Sequence, residues 1–310
     1  MSDLWKRLRF VLIGIIVYRI GTHIPIPGID PQRLSSLFDQ NQGTILELFN
    51  LFSGGALERM SIFALNVVPY ISAAIIMQLF SNSIPYLIEL KKDGQAGRNA
   101  ITQYTRYGTV LLAFIQASAL AVTLSSGGLA YNPGTAFFVS AVFSVVAGTI
   151  FLMWLGEQIS ERGIGNGISI IIATSILTGI PSAIGQALEQ ARQGDLNILM
   201  LLSIGVLAMV VIAVVVFIER GQRRITVNYA QRQQGRKLMQ AQASHLPFKV
   251  NMAGVIPAIF ASTFLLFPAS LSTWFGQGEN FGFLQSISLA LNPGQPLYAV
   301  SYTHLTLPTK

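Results

Sequence analysis

The chain has 310 residues, of which 52% are hydrophobic and 11% charged, with no cysteine and a formal net charge of +7. Charge this sparse, with the apolar residues gathered into long blocks, excludes an ordinary soluble globule and indicates a polytopic all-α membrane protein. Without cysteine there are no disulfides and no thiolate metal sites, and the placement of the basic residues says more than their sum.

Lys6, Arg7 and Arg9 precede a first apolar span over Phe10 to Ile24. A basic start of this kind stays in the cytoplasm. Ile24-Pro25-Ile26-Pro27-Gly28 ends the span in an extended turn, without the small-residue cleavage site that follows a removable leader. The polar, acidic stretch Asp30 to Glu47 suits the far side of the membrane.

From Phe49 to Phe80 two characters are joined. Ile62 to Phe80 is apolar except for Asn66, Tyr70, Ser72 and Gln78, and is nearly long enough to cross a hydrocarbon core of about 30 Å. Before it, Leu48, Phe49, Leu51 and Phe52 are sticky, Ser53-Gly54-Gly55 breaks any helix, and Glu58 and Arg59 are charged. An apolar segment tied to a span by a flexible, charged stretch fits a movable stopper beside a pore. An external loop that carries phenylalanines is the plainer alternative.

The second span returns to Lys91, Lys92, Arg98 and Arg106. A third (about Gln103 to Leu124) goes out, a fourth (Ala136 to Leu155) returns, and a fifth (Ile168 to Ile184) follows Gly163-Ile164-Gly165-Asn166-Gly167. A sixth runs from Leu196 to Ile218 into the most basic loop, Glu219 to Lys249, and a seventh from Met252 to Phe275 carries Pro257 and Pro268. With this threading fifteen of the twenty Lys and Arg lie on one side, while only Arg33, Arg59 and Arg192 lie in loops on the other, so the amino terminus is cytoplasmic. Pro296 to Val300 opens an eighth span that Ser301 to Lys310 has no apolar run to complete, so either the protein is truncated here or these last ten residues are foreign to it.

Chemistry at membrane depth needs a nucleophile, a base or metal ligands. The histidines are His23, His245 and His304, and neither an HExxH motif nor a carboxylate pair within a span is present, which argues against an enzyme and against a metal site. A secondary transporter with broken helices is the stronger rival. The spans hold almost no ionisable residue except Arg19, which favours a pore sealed by apolar side chains.

IPIPGID at Ile24 to Asp30, FNLFSGGALERMSIFAL at Phe49 to Leu65, QYTRYGT at Gln103 to Thr109 and MWLGEQISERGIGNGISIII at Met153 to Ile172 resemble SecY, the channel subunit of the bacterial general protein translocase. So do FIERGQRRITVNYAQRQQGRK at Phe217 to Lys237 and HLPFKVNMAGVIPAIFAS at His245 to Ser262, and the resemblance runs from about Leu4 to Ala299. It implies an inverted-repeat helical bundle around an hourglass pore. The first half-repeat would be residues 1–185, an incomplete second half 186–300, and residues 301–310 stand apart.

The resemblance also implies roles. Val67 and Ile71, Ile168 and Ile172, and Ile259 match a constricting aliphatic ring, and each pair is spaced by four, on one helix face. Such a ring offers ions and water no hydrogen bonds and gates by dewetting. Phe49 to Ser61, with Phe52, Gly54, Gly55 and Arg59, would be the plug beneath it. Ser72, Gln116, Asn251, Ser262 and Phe267 match a lateral gate, where small and polar residues let helices part for a signal helix. Arg220, Arg223, Arg224, Arg232, Arg236 and Lys237 would dock a SecA-type ATPase or a ribosome, although positive loops also serve topology and anionic lipid. SecE and SecG are the implied partners, signal peptides and nascent membrane proteins the substrates, the bacterial cytoplasmic (inner) membrane the location, and no cofactor is implied.

Overall fold

A computed structural model describes residues 2–30, 33–34, 50, 53–194, 197–227, 233–234, 237–238, 244–251 and 295–306, with scattered positions between 254 and 291. The chain forms two units, Met1–Ser182 with Ala258–Thr306, and Ala183–Pro257.

In the first unit, α1 (Ser2–Gly21) stops before the two prolines, as expected. The second span departs from the expected helix over Ile62 to Phe80: α2 is Val68–Ser83, and residues 62–67 are wound in turns after a bridge at Ser61. Two features set this start. Asn66 takes a left-handed backbone (φ 49°), which asparagine tolerates, and Pro69 suits a first helical turn. Pro85 then holds Ile84 extended and cannot donate to continue α2, so the chain bends by 93° into α3 (Pro85–Lys92).

Then come α4 (Gln95–Ser126), α5 (Thr135–Arg162) and α6 (Gly167–Gln193), each extending past the span expected within it. These three and α7 (Ile198–Arg220) are long and apolar enough to cross a membrane, and α2 with α3 is a bent fifth candidate. α4 packs along α5 and α2, while α1 lies on α5. Ala113, Ala117 and Ala121, spaced by four on α4, share a buried cluster with Ala141, Val142 and Val145 of α5. Small residues at such a seam let helix backbones approach closely where lipid supplies no hydrophobic drive between helices. α8 (Pro296–Thr306) starts where an eighth span was expected to open and runs on to Thr306. Within the expected seventh span Pro257, Ala258, Ala261, Ser262, Phe264 and Leu265 are helical, and Ala261 and Leu265 are buried. Most other positions of that span, Ile259 and Phe267 among them, lie outside the described residues.

The second unit contains α7, none of whose residues is buried, and a ribbon that the helical reading did not include. β1 (Gln222–Val227) pairs antiparallel with β4 (Ser244–Lys249), setting Arg223 opposite Phe248 and Ile225 opposite Leu246. Between them β2 (Gln233–Gln234) pairs with β3 (Lys237–Leu238).

Candidate functional site

The Ile24 to Asp30 stretch is laced on two sides. Ile26 N–H donates to Met60 O (2.9 Å) and Ile24 O accepts from Ile62 N–H (3.0 Å), while Asp30 N–H donates to Leu129 O (2.9 Å) and Gly28 O accepts from Tyr131 N–H (3.0 Å). Pro25 and Pro27 flank Ile26, so the two positions without an N–H are not the one this pairing requires to donate. The lacing fixes the end of the turn from Ser53 to Ser61 against the stretch that follows α1.

That turn is tightly wound. Ser53 Oγ accepts from Leu57 N–H (3.1 Å), Ser61 N–H donates to Ala56 O (2.9 Å), and Asn50 joins Glu58 through both its amide and its carbonyl oxygen. Gly54 (φ 65°) and Gly55 (φ 78°) are left-handed, a conformation costly for any residue with a Cβ. A Cβ on Gly54 would also sit 3.0 Å from Ser175 Cα and 3.1 Å from its carbonyl oxygen, so the turn lies directly on α6. Arg19 donates to Gly54 O (3.3 Å), and the Arg59 guanidinium lies 3.2 Å from His23 Nε2. Phe49 and Phe52 lie outside the described residues.

Above the turn the aliphatic side chains converge. Val67, 1% exposed, belongs to a buried cluster with Ala56, Val11, Tyr18, Phe63, Leu152 and Ile159, and Ile71, Ile168 and Ile172 pack against that same cluster. The described positions of the expected ring thus belong to, or pack against, the one cluster that also contains Ala56 of the turn. Gly156 of α5 makes room for Ile168, since any Cβ there would collide with the Ile168 side chain.

The other expected positions are more dispersed. Gln116 is buried on α4, and Ser72 on α2 and Ser262 are partly buried. Asn251 donates to Glu219 Oε1 (2.7 Å) and caps Gly254 N–H (3.2 Å). Arg220 ends α7, and Arg223 and Arg224 stand exposed on β1. Arg232 and Arg236 lie outside the described residues, and Lys237 opens β3. Arg106 of α4 and Glu157 of α5 form a two-pronged ion pair, with both N···O separations 2.8 Å, a planar fork match that ties the two helices.

Sequence reasoning gave Arg19 no role and passed over Tyr18, Asn66 and Ser175, which hydrogen-bond beneath the aliphatic cluster. One signal was available: an ionisable residue inside a span is seldom idle, and Arg19 reaches the turn.

A family model described as SecY matches residues 61–308. The protein translocase subunit SecY of Pseudomonas aeruginosa is 63% identical over 303 residues, covering 98% of this chain and 69% of that protein. That of Escherichia coli (strain K12) is 58% identical over 306 residues, covering 97% and 69%. Among solved structures, one described as a protein conducting channel aligns with a TM-score of 0.63 at 21% identity, over 87% of this chain and 59% of its own. Sec61 in a canine ribosome-channel complex aligns with a TM-score of 0.62 at 20% identity, over 87% and 60%. At these identities the structural likeness speaks for the fold.

Proposed function

The chain belongs to the SecY family, and from that premise we propose that it is the pore-forming subunit of a Sec translocon in the bacterial cytoplasmic membrane, with its amino terminus inside. Unfolded preproteins cross through an aliphatic ring of Val67, Ile71, Ile168, Ile172 and Ile259. The turn from 53 to 61, preceded by Phe49 and Phe52, is the plug. Transmembrane segments leave sideways between the second and seventh spans, past Ser72, Gln116, Asn251, Ser262 and Phe267. Energy comes from a SecA-type motor or the ribosome, and SecE and SecG complete the complex, with residues 1–185 and 186–300 as the two half-repeats. The supporting observation is the shared cluster that holds Ala56 of the turn with Val67 and with Ile171 of α6, and against which Ile71 of α2 packs.

A photoreactive residue tests the reading. Placed at Ile71 in the assembled complex, it is expected to capture a secretory chain arrested in transit, and placed at Ser72, a signal helix. At Phe143, 64% exposed on α5, it should capture neither. Equal capture at Ile71 and Phe143 would sink the proposal. A solute transporter, the alternative, would instead show substrate-dependent uptake into vesicles holding this chain.

The ribbon supports a docking role for the basic loop. Alternation puts Arg223, Ile225, Leu246 and Phe248 on one face and Arg224, His245 and Lys249 on the other. Arg223→Glu is expected to weaken binding of both motor and ribosome about tenfold, with a reduced salt dependence. If titration shows both affinities unchanged, the loop serves topology and lipid instead.

A further inference from the structure

Three side chains from three separate elements meet below the aliphatic cluster: Tyr18 of α1, Asn66 from the turn before α2, and Ser175 of α6. Each is buried, at 1%, 1% and 0% exposure. Tyr18 Oη is 2.6 Å from Ser175 Oγ and 3.2 Å from the carbonyl oxygen of Ser53 in the 53–61 turn. Asn66 Nδ2 donates to Ser175 Oγ (3.0 Å), and Ser175 Oγ lies 2.9 Å from Ile171 O.

We propose that Tyr18, Asn66 and Ser175 are a buried two-position hydrogen-bond latch that sets how readily the 53–61 turn leaves its seat, and so how strong a signal helix must be to open the channel. The latch acts on gating only if 53–61 is the plug proposed above. Counting protons shows why there are two positions. Tyr18 has one hydroxyl proton and two acceptors in reach, and so has Ser175.

With the turn seated, Tyr18 donates to Ser53 O while Ser175 donates to Tyr18 Oη. With the turn gone, two hydroxyl rotations suffice: Tyr18 donates to Ser175 Oγ and Ser175 donates back to Ile171 O. Neither hydroxyl is left without an acceptor in the low-dielectric interior, where an orphan would be costly. Of the bonds this trio makes, release therefore costs only the one to Ser53, while the Arg19–Gly54 bond and the packing of Ala56 are lost alike in every variant. Gly54 permits that bond, because its missing Cβ is what lets the turn rest on Ser175.

The two hydroxyls thus act in opposite directions. Tyr18→Phe deletes the bond to Ser53 and loosens the turn. Ser175→Ala leaves that bond but removes the acceptor that Tyr18 needs once the turn departs, and so tightens it. General damage to packing would loosen both.

The chain has no cysteine, so a thiol introduced by Ala56→Cys, at a site 0% exposed, reports release of the turn. Assembled complexes in membrane vesicles are treated with a membrane-impermeant maleimide on the external side, with and without a synthetic signal peptide. Tyr18→Phe is expected to speed alkylation about fivefold and Ser175→Ala to slow it about threefold, the size of one buried hydrogen bond. The double variant should follow Tyr18→Phe, since no hydroxyl remains to be orphaned. A second thiol from Ala117→Cys, buried on α4, should react equally slowly in every background.

Faster alkylation in Ser175→Ala, or in Ala117→Cys alongside it, would overturn the latch. So would an unchanged rate in Tyr18→Phe while the signal peptide still releases the turn. If the peptide leaves the Ala56→Cys thiol protected in the unaltered background, the plug reading falls, and the latch with it.

Discussion

Replacing Ile71 with asparagine is expected to raise ion leak through vesicles carrying the assembled complex about tenfold, and to let through preproteins whose signal sequences are defective. The side chain stands one turn into α2 and packs against the cluster that holds Val67, Phe63 and Ala56, as Ile168 and Ile172 do. In the closed arrangement an amide at this partly buried position lies against aliphatic side chains, a loss toward the lower end of the about 1–3 kcal/mol that a fully buried orphan costs. In the open arrangement the same amide faces water or the passing chain and loses nothing. Only the difference between the two states shifts their populations, and about 1.4 kcal/mol of difference is a factor of ten. Ile71→Leu keeps the apolar volume and should leave both readouts unchanged. A gradient that decays no faster in Ile71→Asn than in Ile71→Leu would show that the seal does not depend on this side chain.

The long helices were legible because the bilayer imposes one length on every span: α4, α5, α6 and α7 lie where the apolar runs placed them. The turns at 62–67 were not legible, because Ser61-Ile62-Phe63-Ala64-Leu65 is as apolar as a helix core and only Asn66 and Pro69 betray the late start. The ribbon had a fair signal in the β-branched run Ile225-Thr226-Val227, masked by the arginines around it. The ring positions came from family resemblance, since an isoleucine facing lipid and one facing a common axis are the same letter. The polar knot could not be read at all. Its members are separated by 48, 109 and 157 residues, and each alone passes for an ordinary helix or turn residue.

Gly148→Ala, one methyl group at mid-helix in α5, is expected to destabilise the protein more than any other change considered. A Cβ there would run into the Ile62 carbonyl oxygen, lie 2.8 Å from the carbonyl carbon and 3.2 Å from Phe63 Cδ1. Backbone atoms cannot rotate aside, and this stretch is pinned: Ile62 N–H donates to Ile24 O and Ser61 bridges to Pro25. Phe63 is held as well, stacked 6.0 Å from Tyr18 and 5.9 Å from Phe151 between ring centroids. The methyl group must therefore force α5 away from the turn that carries Val67, opening the cluster on both sides. Overpacking typically costs about 1–3 kcal/mol, and a clash with pinned backbone belongs at the top of that range, which should lower the thermal aggregation midpoint of the purified complex by about 6 °C. Gly108→Ala on α4 supplies the comparison, because its Cβ would stand 3.5 Å from Ala73 Cβ, an ordinary contact, while alanine improves helix propensity by about 1 kcal/mol. It should leave the midpoint unchanged or raise it. Equal midpoints for the two variants would mean that the 62–67 turns do not press on α5, and that this packing does not fix Val67 in its cluster.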